Sequence, residues 1–295
     1  DIKTAQLSRI IDSSDMEPIL WQELMDLIEK NYDAYDGFVI LHGTDTLAFT
    51  ASALSFMIQG LDKPIVLTGS QLPIGAIRTD GKENLITAIE VASSKSNGKA
   101  IVPEVSVYFE YNLLRGNRVT KYSAEHFDAF HSPNHPMLAE AGIQIVYNLP
   151  YIRGSSKARP NFFRKLDARI AVLRLFPGID PDLVKAILFS GAKGIIMETY
   201  GAGNAPSASW FIALLKEAVD AGLIIMNVTQ CLAGTVDHGR YVTSSGFDEI
   251  GIISGKDIRF EAAVTKMMHA LGQSEVRQEI VQILKSSISG EMMEP

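Results

Sequence analysis

Short apolar runs alternate with helix-favouring segments in this chain, and the alternation limits the folds that it can adopt. The segments are an apolar run at Phe38–Leu41, a helical segment at Ala48–Gln59, a run at Ile65–Leu67, a helical segment at Asn84–Ser93 and a run at Val105–Phe109. Strands and helices at such intervals are typical of βαβ units, and right-handed crossovers bring the loops after the strands to one edge. The pattern predicts an α/β fold with mainly parallel sheets.

A second α/β series begins near Ala171. It comprises predicted strands at Ala171–Phe176, Gly194–Met197 and Leu223–Val228 and predicted helices at Pro181–Leu188 and up to Val219. The chain has 295 residues, 46% of them hydrophobic, which suffices for two domains of roughly 150 residues each. We therefore predict a larger N-terminal domain (1–150), an aperiodic linker (151–168) and a smaller C-terminal domain (169–295). Partial alternation predicts a further strand over Ile2–Ile11, and an amphipathic pattern predicts a helix over Ser274–Ser286.

Polar turns follow the predicted strands of the first series. The turns are Asp12–Asp15, His42–Thr46 and Thr68–Gln71. In open parallel sheets, ligands bind beyond the carboxyl ends of the strands, so we expect the three turns to share one rim. Gly43 would let the backbone approach a ligand closely, and Asp45 or Thr46 would cap the following helix. These turns predict a small-molecule site.

The side chains at this rim combine hydroxyls, carboxylates and one amine. They are the hydroxyls of Ser13, Ser14, Thr44 and Ser70, the carboxylates of Asp12 and Asp45, and the amine of Lys121. A hydroxyl nucleophile needs a proton acceptor, which a lysine becomes only as the neutral amine, whereas a neighbouring carboxylate favours the ammonium. Asp45 would alternatively bind a substrate ammonium, while Ser13 and backbone amides bind a carboxylate. Residue types alone leave an enzyme and a binding protein both open.

Composition excludes several other function classes. The net charge of −7 and the absence of a basic run disfavour nucleic acid as a partner, and no apolar stretch reaches the roughly 18 residues of a membrane span. Neither a Walker loop nor GxGxxG occurs, and no CxxC pair exists, so we expect no phosphate-anchored nucleotide and no dedicated zinc site. Cys231 is the only cysteine, which fits a reducing compartment, and we expect it to be a small buried hydrophobe.

Six stretches together carry a resemblance to a known family. They are Asp12–Met16 (DSSDM), Asp36–Thr46 (DGFVILHGTDT), Thr68–Gln71 (TGSQ), Arg115–Lys121 (RGNRVTK), Tyr200–Pro206 (YGAGNAP) and Thr229–Cys231 (TQC). The combination resembles the bacterial-type L-asparaginases, and most closely the cytoplasmic type I enzymes. The resemblance extends over both predicted domains.

This resemblance implies that the protein is a cytoplasmic enzyme that hydrolyses L-asparagine to L-aspartate and ammonia with a threonine nucleophile and no cofactor. Position by position, it implies catalytic roles for Thr44, Asp45 and Lys121. The substrate-binding residues that it implies are Asp12, Ser13 and Ser14 for the α-groups, Ser70 for the scissile amide, and Asn204 from a neighbouring subunit. We accordingly expect a homo-oligomer, either a dimer or a tetramer.

Two departures from the family pattern leave alternatives open. The family's Thr-Gly-Gly-Thr-Ile strand end, which carries the primary nucleophile, is absent from these 295 residues, and we expect the full protein to carry it before Asp1. A possible allosteric site would involve Thr120, Glu198 and Cys231, but Glu198 stands where an allosteric relative has arginine. The alternatives are an ammonia-releasing subunit of a tRNA-dependent amidotransferase and a catalytically inactive amino-acid-binding homologue.

Overall fold

The computed structural model describes residues 1–239 and 246–294 of the chain. They form two compact units, Asp1–Arg164 and Lys165–Pro295. The division falls inside 151–168, the range that the sequence predicts as a linker. The exact domain limits stay a prediction.

The first unit consists of α-helices around a mixed sheet. Its helices are α1 (Pro18–Asn31), α2 (Leu47–Met57) and α3 (Gly81–Ser93). Its strands are β1 (Phe38–Leu41), β2 (Ile58–Gln59), β3 (Ile65–Thr68), β4 (Lys95–Ser96), β5 (Lys99–Ala100), β6 (Val105–Phe109), β7 (Asn112–Arg115), β8 (Thr120–Lys121), β9 (Phe130–His131), β10 (Ala139–Ala141), β11 (Ile145–Tyr147) and β12 (Asn161–Phe162). Short 3₁₀ turns lie at Ser13–Asp15, Gly116–Arg118 and Leu149–Tyr151.

The main sheet of this unit has the strand order β1-β3-β6-β7-β10-β11. The strands β1, β3 and β6 are parallel, as the alternating pattern predicts, whereas β7, β10 and β11 continue the sheet in antiparallel pairs. The turn from β6 to β7 consists of Glu110 and Tyr111, both with positive φ (42° and 70°). Two successive positive φ values are typical of the type I′ turn, which reverses the chain tightly.

The second unit has a fully parallel sheet. Its elements are β13 (Ile170–Arg174), α4 (Pro181–Leu188), β14 (Gly194–Thr199), α5 (Ser209–Asp220), β15 (Ile224–Thr229), α6 (Phe247–Ile250), β16 (Ile253–Ser254), α7 (Phe260–Gln273) and α8 (Arg277–Lys285). The strand order is β13-β14-β15-β16. Odd-numbered strand residues such as Leu173, Ile195 and Ile225 pack with α4 and α5, and even-numbered Gly194 faces Met267 of α7. This unit confirms the predicted α/β class, and α8 is the helix predicted over Ser274–Ser286.

The strand predicted over Ile2–Ile11 does not form. Residues 1–12 contain no strand, and Ile2 and Ile10 are 72% and 86% exposed. Alternation stabilises a strand only when its backbone pairs with a neighbouring strand and its apolar face is buried. This segment has neither stabilising contact.

None of the helices in 1–239 and 246–294 combines the length and apolar composition needed to cross a membrane.

A buried ion pair, here called the C-terminal clasp, joins α7 to the end of the chain. Lys266 Nζ lies 2.6 Å from Glu291 Oε1, and both side chains are fully buried. The ammonium also donates hydrogen bonds to the carbonyls of Leu284 and Ser286. Burial opposes ionisation of Glu291, but the ammonium of Lys266 holds the pKa of that carboxyl below its usual value. The clasp therefore fixes the segment after α8 against α7.

Candidate active site

Thr44, Asp45 and Lys121 meet at the end of β1. Thr44 and Asp45 lie in the turn between β1 and α2, and Lys121 lies in β8. Lys121 Nζ is 2.9 Å from Thr44 Oγ1 and 2.6 Å from Asp45 Oδ1. The lysine side chain is 20% exposed and the Asp45 side chain is 63% exposed, so the group opens to solvent on the carboxylate side.

The β6–β7 hairpin and α2 explain how Lys121 reaches this position. After β7 the chain enters the 3₁₀ turn Gly116–Arg118, which packs against α2. A Cβ on Gly116 would lie 3.0 Å from the Val105 carbonyl oxygen and 3.2 Å from the Ala51 Cβ, so glycine permits this close approach. The turn leads directly into β8, which carries Lys121.

The Asp12–Ser14 turn lies beside the turn after β1. Thr46 Oγ1 donates a hydrogen bond to the Ser13 carbonyl oxygen at 2.6 Å. Thr46 occupies the N-cap position of α2, but its side chain bonds this neighbouring turn instead of capping the helix. Asp12 accepts hydrogen bonds from the backbone N–H and the hydroxyl of Ser14, which lower the pKa of its carboxyl. Asp12 is therefore a carboxylate at neutral pH.

Gly43 lies close to the Asp12–Ser14 turn. A Cβ on Gly43 would lie only 2.6 Å from Ser13 Oγ. Glycine at this position thus allows two loops of the rim to approach each other. The approach of its backbone to a ligand stays a prediction.

Ser70 lies in a loop that two residues support: Asp80, the N-cap residue of α3, and Asn84, within that helix. The Asp80 carboxylate accepts hydrogen bonds from the backbone N–H groups of Gln71 and Leu72. Asn84 Nδ2 donates to the Gly69 carbonyl oxygen at 3.0 Å. Sequence reasoning did not single out Asp80 or Asn84. An Asp-Gly pair just before a helix was the available signal, but by itself it indicates only a turn.

Replacing Gly69 with alanine should distort the rim. The new Cβ would lie 2.2 Å from the His42 carbonyl oxygen, a backbone atom that cannot move alone. We expect Gly69→Ala to lower the free energy of unfolding in urea by about 1–3 kcal/mol, as overpacking does. Gly75→Ala is the matched control, because no atom lies within 4 Å of its Cβ position. Equal stability of the two variants would contradict the close contact.

A chain of hydrogen bonds supports the peptide before Thr44. Trp21 Nε1 donates to Thr50 Oγ1 at 2.9 Å, Thr50 Oγ1 lies 2.8 Å from His42 Nε2, and His42 Nδ1 lies 2.7 Å from the Gly43 carbonyl oxygen. Burial lowers the pKa of His42, which favours the neutral imidazole. Nδ1 then donates to the carbonyl, and Nε2 accepts from the threonine. Sequence reasoning missed this chain of hydrogen bonds, because no local pattern links Trp21 to Thr50, 29 residues later.

Asn204 and Glu198 belong to the second unit. Asn204 lies in the Tyr200–Asn204 loop after β14, where the backbone N–H groups of Tyr200 and Asn204 each donate to the other residue's carbonyl. Glu198, in β14, is 8% exposed, and burial raises the pKa of its carboxyl even though Arg174 lies 3.4 Å away.

Thr120 and Cys231 are the other two residues of the predicted allosteric site. Thr120 is buried in β8 of the first unit, and Cys231 lies just after β15 in the second. The prediction that Cys231 is buried is wrong, because the residue is exposed. Its backbone N–H donates to Thr229 Oγ1, which turns the chain away from the sheet as soon as β15 ends.

One HxxxH spacing, which resembles a metal motif, occurs in the chain. His131 and His135 are four residues apart, but His131 Nε2 lies 3.9 Å from Asp128 whereas His135 Nε2 lies 3.1 Å from Arg115 Nη1. In the part of the chain that the structure describes, no cluster of three or more His, Cys, Asp or Glu residues is arranged to hold a metal ion.

Comparison with known families gives matches to both units. The sequence model described as "Asparaginase, N-terminal" matches residues 1–153, and the "Glutaminase/Asparaginase C-terminal domain" matches residues 169–284.

Individual proteins are also similar over nearly the whole chain. L-asparaginase 1 of Escherichia coli K12 is 41% identical over 296 residues, covering 99% of this chain and 85% of that protein. The 60 kDa lysophospholipase of Mus musculus is 41% identical over 288 residues, covering 97% of this chain and 50% of that protein. Among solved structures, L-asparaginase I from Vibrio cholerae superposes with a TM-score of 0.89 at 40% identity, covering 97% of this chain and 84% of that chain.

Proposed function

Because this chain belongs to the asparaginase family, we propose that it hydrolyses the side-chain amide of L-asparagine, releasing L-aspartate and ammonia. One observation carries the proposal within the molecule. Lys121 Nζ lies within hydrogen-bond distance of both Thr44 Oγ1 and Asp45 Oδ1. A hydroxyl in contact with an ammonium and its carboxylate counter-charge can transfer a proton during amide hydrolysis.

In this proposal Lys121 controls the hydroxyl of Thr44. As an ammonium, Lys121 donates to Thr44 Oγ1, so the threonine's own proton points to a different acceptor. In hydrolysis by a threonine nucleophile, the nucleophile's oxygen adds to the amide carbon and Thr44 gives its proton to the departing nitrogen as the C–N bond breaks. Thr44 regains a proton from the nucleophile's hydroxyl, and the charge of Lys121 stabilises the Thr44 oxygen in between. Water then cleaves the ester through the same proton relay. Asp45 keeps the ammonium in place.

The binding roles follow from charge. We propose that the carboxylates of Asp12 and Asp45 contact the α-ammonium of the substrate, while Ser13 and Ser14 contact its α-carboxylate. Ser70 would contact the scissile amide. The hydrogen bonds that hold the turns of Ser13 and Ser70 support these roles, because they fix both turns before substrate arrives.

We propose that the protein acts as a homo-oligomer, a dimer or tetramer, in which Asn204 completes the site of a neighbouring subunit. We also propose a cytoplasmic location and no nucleic-acid partner, which the acidic net charge of −7 supports. The possible allosteric role of Thr120, Glu198 and Cys231 remains a proposal. Glu198 would not hold an α-carboxylate there, because it is acidic.

The test measures ammonia release from L-asparagine by the purified full-length protein, without tRNA or any partner, with its intact mass and N-terminal peptide determined in parallel. We expect turnover, and a drop of about 10²- to 10⁴-fold in Thr44→Val, which removes the hydroxyl at nearly constant volume. Thr44→Ser should retain part of the activity, and Thr4→Val, at an exposed threonine, should be unchanged.

Other outcomes would favour the other candidates. Turnover only with tRNA and a partner protein would indicate an amidotransferase subunit. Binding of asparagine or aspartate without turnover, together with a mass equal to that of these 295 residues, would indicate a catalytically inactive homologue.

A further inference from the structure

A chain of four polar side chains runs from the interior of the second unit to its surface. Thr199 Oγ1 donates to Asn227 Oδ1 at 2.6 Å, Asn227 Nδ2 lies 3.1 Å from His238 Nε2, and His238 Nδ1 lies 2.7 Å from Asp248 Oδ1. The first three residues are at most 3% exposed, whereas the Asp248 side chain is 70% exposed. The proposed chemistry at Thr44 and Lys121 uses none of these groups.

The partners of this chain determine the direction of each hydrogen bond. Asn227 Nδ2 also lies 3.1 Å from the Gly203 carbonyl oxygen, which can only accept, so the amide nitrogen faces this carbonyl. The same nitrogen faces His238 Nε2, which must therefore accept. His238 then carries its proton on Nδ1 and donates it to Asp248, so Asp248 selects the tautomer that Asn227 requires.

These four hydrogen-bonded side chains support the loop between β14 and α5. Three consecutive carbonyls, those of Gly201, Ala202 and Gly203, accept hydrogen bonds from Thr229 Oγ1 (2.6 Å), the Asp237 backbone N–H (3.0 Å) and Asn227 Nδ2 (3.1 Å). Asn227 is one of the four hydrogen-bonded side chains, and Asp237 directly precedes His238, which is another.

Asn204 directly follows these three residues in sequence. The backbone of Gly203, just before it, is closely packed and has little space to move. Gly203 has a φ of +103°, and a Cβ there would lie 2.7 Å from Val236 Cγ1 and 3.2 Å from Asn227 Nδ2. The loop backbone therefore lies directly on the side chains that hold it.

We propose that His238 is a positioning residue that acts through Asn227 to fix the loop presenting Asn204. The proposal rests on the proposed function, in which Asn204 completes a neighbouring active site. Without an acceptor at Nε2, the Asn227 amide loses one of the two contacts that set its orientation. A rotated amide would point its oxygen at the Gly203 carbonyl, and the two acceptors would repel each other.

The experiment compares His238→Phe with His238→Gln in the full-length protein. Phenylalanine keeps a ring beside Phe247, which contacts His238 edge-on at 5.6 Å, but it offers Asn227 no acceptor. Glutamine restores an acceptor oxygen. We expect the backbone N–H groups of Gly203 and Asn204, which both donate to the Tyr200 carbonyl, to exchange with solvent about tenfold faster in His238→Phe. Exchange in His238→Gln should stay close to that of the wild type.

Activity gives the second readout. We expect His238→Phe to lower kcat/KM for asparagine by about tenfold, but by less than about twofold in an Asn204→Ala background, because the effect passes through Asn204. Losses of equal size in both backgrounds, or unchanged exchange at Gly203 and Asn204, would overturn the proposal. If His238→Phe fails to fold, Asp248→Ala, at an exposed side chain, should accelerate the same exchange, and its failure to do so would equally overturn it.

The two proposals can fail separately. Full activity of Asn204→Ala would show that Asn204 has no role in turnover. That result would contradict the role of Asn204 in the proposed function, but not the positioning role of His238. Exchange at Gly203 and Asn204 would still decide whether His238 positions the loop.

Discussion

Lys121→Met should lower kcat for asparagine hydrolysis by about 10²- to 10⁴-fold, the range expected for loss of a proton-transfer or charge-stabilising group. Methionine has a similar length and removes only the ammonium that contacts Thr44 Oγ1 at 2.9 Å and Asp45 Oδ1 at 2.6 Å. Because Asp12 and the serine turns do not depend on this ammonium, we expect aspartate to bind with nearly unchanged affinity. Steady-state ammonia release and calorimetric titration with aspartate measure the two effects.

Lys82→Met is the matched control, because Lys82 is an exposed lysine on α3 and lies outside the proposed site. It should retain wild-type turnover. Near-normal ammonia release by Lys121→Met would remove this lysine from the mechanism. A parallel loss of aspartate binding would assign it to substrate binding instead.

Glu291→Gln should have the largest effect on stability. The substitution leaves Lys266 fully buried, with two carbonyl acceptors but no counter-charge. Removing one partner of a buried ion pair typically costs about 3–5 kcal/mol. We expect the free energy of unfolding, measured by urea titration, to fall by that amount.

Two further variants show whether the loss is electrostatic. The double variant Lys266→Met/Glu291→Leu replaces both charges with apolar groups and should recover most of the stability. Lys216→Met breaks the exposed i,i+4 pair with Asp220, both side chains 63% exposed, and should change stability by no more than about 0.5 kcal/mol. A loss in Glu291→Gln as small as that in Lys216→Met would contradict the importance of the clasp.

The sequence predicted those parts of the fold that depend on local patterns. The strands β3, β6, β14 and β15 follow from apolar runs, because a buried strand needs apolar side chains on both faces. The apolar run of β1 also predicted its strand, although β1 lies at the sheet edge and is only half-buried. The β6–β7 reversal depends on φ values at Glu110 and Tyr111, two residue types that give no strong turn signal. The strand predicted over Ile2–Ile11 is wrong because alternation does not reveal whether a pairing partner exists.

The predicted site residues came partly from pattern and partly from family resemblance. Strand-end turns predicted a shared rim, and the contacts of Ser13 with Thr46 and of Gly69 with His42 lie there. No periodicity places Lys121 beside Thr44, 77 positions earlier in the chain, and only the resemblance indicated that pairing. Asp80 gave only the weak turn signal of an Asp-Gly pair, and no local pattern links His238 to Asn227 or Asp248.

The C-terminal clasp also affects the order in which this protein acquires its structure during synthesis. A ribosome releases Lys266 into solvent while Glu291 is still unmade or inside the exit tunnel. Until Glu291 emerges, the ammonium has no carboxylate partner, and burying it in α7 is unfavourable. The first unit precedes Lys165 and can fold while translation continues. The second unit reaches its final packing only after Glu291 has left the ribosome, so a nascent chain stalled before Glu291 would expose part of its α7 surface to chaperones.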